Sequence, residues 1–224
     1  MTISIVRELP IKGELNLKTW QLFIIIAVAN LVIAWVWNQY ILTRDVYYNL
    51  LADQLEANRI DEYFDLTRKF TLWAYLFQPA LLWMQIIFFT LLLQTPLMLL
   101  NIEIPFNQIF RIVLIASLAT TALALIQLLK LSFYPPEEIT ANVLNIVPFS
   151  TAELVEMSEY PLTSIFMLNK FNPFEFLWTF LLYKELVNTK TIKKESSLII
   201  VFGLWLVIVL FQWGIVAYFS GVNG

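Results

Sequence analysis

Asn172, Pro173 and Glu175 open the apolar run FNPFEFLWTFLLYKEL, residues 171–186, and come nearest of any residues in the chain to a chemical motif. A carboxylate in a stretch able to enter a bilayer is a candidate for acid–base chemistry or ligand binding, because intramembrane ionisable groups are costly and are retained for function. An intramembrane enzyme built on Glu175 would need a second polar group, such as Gln85 or Asn169, in a water-filled cavity. The local pattern offers another account. Asn172 is a favoured helix N-cap, and Pro173 suits the first helical position. Glu175 then falls at the third, where an acid reaches back to the cap amide and complements the helix dipole. On this reading the three residues start a short helix at the outer membrane interface.

The rest of the composition argues against catalysis. There is no cysteine, so thiol nucleophiles, disulfides and Cys-ligated metals are excluded. There is no histidine, which removes the usual general base and the commonest metal ligand. Five glycines leave little room for a phosphate-cradling loop, and a net charge of −3 gives no footprint for nucleic acid. The expectation is a non-enzymatic protein with no cofactor, no metal and no nucleic-acid partner.

The elements that must position these residues are membrane helices. Of the 224 residues, 59% are hydrophobic and 14% charged, where a soluble domain carries about 25% charged. The apolar residues gather in blocks, and about 20 of them in a row cross a hydrocarbon core of about 30 Å. Four spans are read at 20–41, 70–100, 112–131 and 198–220. A fifth is read at 173–187, short for a span at about 22 Å of helix. Pro79 and Pro96 lie inside the second span, whose surplus length continues into the interface or kinks. The predicted fold is therefore an all-α, polytopic bundle of about five transmembrane helices. Residues 1–19 form a cytoplasmic segment, and 20–224 a single transmembrane domain.

Basic residues set the orientation. Segments 1–19, 101–111 and 184–197 carry three, one and four lysines or arginines, a denser set than the longer loops opposite. The positive-inside rule then places the amino terminus in the cytoplasm and the carboxyl terminus outside, with a bacterial inner membrane as the expected location. Both outer loops are acidic, the first through Asp45, Asp53, Glu56, Asp61, Glu62 and Asp65. Neither has the ligand pattern of a calcium loop, and acidic loops translocate readily and stay solvated. In the first loop, DVYYNLLADQLEANRIDEYFDL reads as an amphipathic helix capped by Asp45, with Tyr47, Leu51 and Leu55 at spacing four, a helix able to lie on the membrane, extend the second span or dock a partner.

Within the spans the polar groups are amides: Asn30, Asn38 and Gln39, then Gln78, Gln85 and Gln94, then Gln127 and Gln212. Such groups hydrogen-bond across helices, contributing about 0.6 kcal/mol each. Ala116 with Thr120, and Ser117 with Thr121, give the third span a small-residue face, as Gly214, Ala217 and Gly221 give the last. Both are helix-packing surfaces, within the bundle or against another subunit.

The carboxyl half resembles the Yip (Ypt-interacting-protein) family. The likeness rests on Asn172-Pro173-Phe174, Trp178, the leucine turn at Leu181 and Leu182, and the lysine-bearing linker before the last span. NIEIPFNQIFRIVLIAS, residues 101–117, adds a short loop running into an aromatic-x-x-x-aromatic-Arg helix start. Tyr183, Lys184 and Glu185 stand where that family usually has a glycine. The resemblance implies five spans and a cytoplasmic amino terminus, and supplies no catalytic residue. The expected function is that of a scaffold or accessory subunit with protein partners in the bilayer. A membrane subunit of an exporter driven by a separate ATPase is the alternative.

Overall fold

The computed structural model describes residues 17–52, 54–156 and 159–222. The expected cytoplasmic segment 1–19 lies outside the described residues but for its last three, as does Asp53 of the first acidic loop. The described residues are mostly helical and hold no strand. In order come α1 (Thr19–Val36), drawn out by a π-helical turn at Trp37–Ile41, and α2 (Arg44–Leu51). They are followed by α3 (Ala57–Leu99), α4 (Phe106–Leu131) and the short α5 (Ala141–Asn145). Last come α6 (Leu162–Lys170), α7 (Pro173–Asn188) and α8 (Lys194–Val222).

Among the described residues, four helices are long and apolar enough to cross a bilayer: α1 with its π turn, α3, α4 and α8. Only 17–33% of the residues in their most apolar windows are buried against protein, so most of that apolar surface faces outward. Leu72, Leu76, Ile199 and Phe211 are among the exposed side chains. Such a surface is stable in lipid and not in water, which makes this an integral membrane bundle.

Helix α4 is the central post. It packs against α1, α3 and most extensively α7, while α8 closes the other side against α3, α6 and α7. Ile109, Leu114 and Ala116 of α4 are fully covered, together with Leu93 of α3, Leu182 and Leu186 of α7 and Val201 of α8. Several of the amides bond between helices as the sequence suggested, while Asn38 Nδ2 donates back to the Ala34 carbonyl of its own helix at 2.9 Å. Asn30 Nδ2 donates to Thr121 Oγ1 at 3.0 Å, Gln78 Nε2 to the Asn30 carbonyl at 3.1 Å, and Gln127 Nε2 to the Leu144 carbonyl at 3.0 Å.

One helix outruns its span, and one expectation needs correction. The second span was read as 70–100, and the helix that carries it, α3, begins earlier, at Ala57, and runs 43 residues, about 64 Å, through both prolines. Hydropathy detects the part of a helix that sits in hydrocarbon; backbone hydrogen bonding continues past it through ANRIDEYFDLTRK. The single loop helix capped by Asp45 is instead divided. Thr43 holds the cap position of α2, Asp45 falls in its first turn, and the chain breaks helix before α3. The reversal lets α2 fold back on α3, burying Val46 completely and setting Arg44 against Asp61 at 3.5 Å and Asp65 at 3.3 Å.

Candidate functional site

Helices α6 and α7 are separated only by Phe171 and Asn172. A broken helix frees backbone groups that a membrane interior cannot solvate, so each needs a protein partner. Asn172 supplies the cap, its Oδ1 accepting from the Phe174 and Glu175 amides at 2.9 and 3.0 Å, while its Nδ2 donates to the Asn169 carbonyl at 2.7 Å. Pro173 follows as the first helical residue. The loop before α6 supplies two further bonds. The Thr151 hydroxyl donates to the Leu168 carbonyl at 2.9 Å and its amide to the Phe171 carbonyl at 3.2 Å. Asn169 ties the same loop down, accepting from the Val147 amide at 2.9 Å and the Ser150 hydroxyl at 3.0 Å.

Asn172 and Pro173 stand at the start of α7 as read, and Glu175 falls in its first turn, where an acid complements the helix dipole. Its carboxylate also has partners on other elements. Lys170 Nζ donates to Oε1 at 2.8 Å, and the Trp205 indole N–H of α8 to Oε2 at 3.2 Å. Lys170 reaches it because the break folds the last residue of α6 over the first turn of α7.

Nor does Glu175 sit at an end of the bundle. The connections 100–105 and 189–193 share one end, where Leu97, Ile104, Ile109, Leu186 and Ile192 join one core. From that end Trp205 stands eleven residues up α8 and Ser117 eleven up α4, about 16 Å each. Glu175 stands thirteen up α7, about 20 Å. Three helices agree that the ion pair lies near the middle of the bundle.

Beside the pair is a cavity of about 180 Å³. It arises because α7 stops here while its neighbours continue. The lining runs from Val113 to Leu123 on α4 and from Trp205 to Gln212 on α8, beyond the first turn of α7. Gln85 of α3, Ser117 and Thr120 of α4 and Gln212 of α8 give it polar walls. The Lys170 and Glu175 side chains are 17% and 24% exposed, so both charges reach the space.

The small-residue face of α4 divides three ways. Ala116 is buried in the core beside α7, Ser117 and Thr120 line the cavity, and Thr121 accepts the Asn30 bond to α1. On α8, a side chain added at Gly214 would meet nothing within 4 Å, and Ala217 is half-buried. Gln85, named with Glu175 from sequence, does share its cavity, whereas Asn169 serves the break. Sequence reasoning missed Lys170, Trp205 and Gln212 as members of one site. The available signal was a pair of opposite charges, Lys170 and Glu175, flanking an Asn-Pro break.

Glu185, near the other end of α7, is 5% exposed and also engaged. Among the described residues, no three acidic side chains group as a metal site would require. No protein-family model, curated protein or solved structure matches this chain.

Proposed function

We propose that the chain is a five-crossing integral membrane protein that works by association, as a scaffold or accessory subunit of a larger membrane assembly. The observation that carries this reading is the uncovered outer face of α8, where added side chains at Gly203, Gly214 and Gly221 would meet nothing. Small residues on an open helix face allow a neighbouring transmembrane helix to approach closely.

The fifth crossing is α6 and α7 taken together. At nine and 16 residues they make about 37 Å of helix, enough for a hydrocarbon core of about 30 Å. Lys190, Lys193 and Lys194 gather at the bundle end that also holds Arg111, which supports a cytoplasmic amino terminus and an outer carboxyl terminus. A bacterial inner membrane and a Yip-like relationship are in keeping with that topology. The exporter alternative needs a helix at the cytoplasmic end to engage an ATPase, and the described connections 100–105 and 189–193 hold none.

Purification from the native membrane in mild detergent tests the reading. A discrete assembly larger than the chain is the expected result; a lone monomer with no co-purifying protein overturns it.

A further inference from the structure

The cavity beside the Lys170–Glu175 pair is left unfilled by the packing around it. We propose that it binds a small zwitterion, a molecule carrying an ammonium group and a carboxylate or phosphate a few ångströms apart. The proposal stands whether or not the chain belongs to an assembly.

Charge balance selects the ligand class. Lys170 and Glu175 together are neutral, and each is more than three-quarters covered. A simple cation drawn to Glu175 would strand the Lys170 ammonium in a low-dielectric interior, and a simple anion would strand the carboxylate. An uncompensated charge there is strongly unfavourable. Among charged ligands, a zwitterion alone can replace both halves of the pair at once, its anionic end taking Lys170 and its ammonium taking Glu175.

The surrounding groups fit that exchange. Trp205 holds one oxygen of Glu175 at 3.2 Å, leaving the other, now bonded to Lys170, as the oxygen that changes partner. Gln212 lines the same cavity, and its side-chain carbonyl oxygen is buried with no hydrogen-bond donor. With Gln85 and the Ser117 and Thr120 hydroxyls, its amide adds hydrogen-bonding capacity to the wall. Trp178 and Phe174 line the same wall, aromatic rings of the kind that favour a nearby cation. The helix start itself is not the site, because Asn172 already occupies the first free amides of α7. The volume, about 180 Å³, suits a compact ligand.

Such a group has two sources, a free solute or the headgroup of a zwitterionic lipid. The test uses the full chain in nanodiscs of phosphatidylglycerol, which carries no ammonium. Alanine and phosphoethanolamine are added as solutes; in a second arm, phosphatidylethanolamine is built into the disc. Binding is read by the unfolding midpoint and by tryptophan emission, with Trp205→Phe as the reference.

We expect one source to raise the midpoint and shift the Trp205 emission, while ethylamine and acetate at equal concentration do neither. Glu175→Gln and Lys170→Gln should each weaken binding at least tenfold. Gln212→Leu, which leaves the pair intact, should weaken it severalfold and decides the matter if the single-charge variants do not fold. No response to either source, an equal response to the singly charged probes, or unchanged affinity in Gln212→Leu overturns the proposal.

Discussion

Lys170 Nζ lies 2.8 Å from Glu175 Oε1 across the two-residue break between α6 and α7, level with the middle of α4 and α8. Pairing is what makes two charges tolerable at that depth. Removing one of them should therefore be worse than removing both. We expect Glu175→Leu alone to destabilise the protein by about 2–4 kcal/mol and Lys170→Met with Glu175→Leu by clearly less. A double-mutant cycle on reversible unfolding in detergent measures the difference, and additive single losses would contradict the ion-pair account.

The Asn172 cap holds the start of α7 through two backbone amides. Asn172→Ala should cost about 1–2 kcal/mol. Amide exchange should quicken at Phe174 and Glu175 while Leu182 and Leu186 keep their protection. Uniform loss of protection along α7 would show that the cap acts on the whole bundle instead.

Leu182 is fully buried between α7 and α4, whereas Leu177 on the same helix is 40% exposed. Leu182→Ala should destabilise by about 2–4 kcal/mol through the cavity it leaves, and Leu177→Ala by less than about 1 kcal/mol. Equal effects would mean that α7 is not seated on α4 by its Leu182 face.

The Asn30–Thr121 bond joins α1 to α4 with 3.0 Å between its atoms. Membrane interhelical bonds of this kind are individually modest, so Thr121→Val should cost about 0.6 kcal/mol and no more than about 2. A loss well above that range would assign Thr121 a role beyond this contact.

The chain has no native cysteine, so single cysteines report topology directly. With α6 and α7 crossing together, a cysteine at Lys190 should be labelled from the same side as one at Asn101, and one at Glu137 from the other. If Lys190 were labelled with Glu137, the fifth crossing would be wrong.

Hydropathy alone determined much of this protein. The four long spans are legible because burial in lipid demands an uninterrupted apolar run, which is a one-dimensional property. The α7 boundaries were also legible, since an N-cap asparagine followed by proline acts through neighbouring residues. The early start of α3 was only one of several readings of the first loop, because its polar first turns form a helix without entering hydrocarbon. Only the tertiary structure decided what Glu175 does. An acid at the third helical position can reach back to its own cap or outward to another element, and its local sequence is the same either way. The choice fell to Lys170, brought over the carboxylate by the break, and to Trp205, thirty residues away on α8. The cavity is likewise a property of packing, for it exists where α7 ends and its neighbours continue.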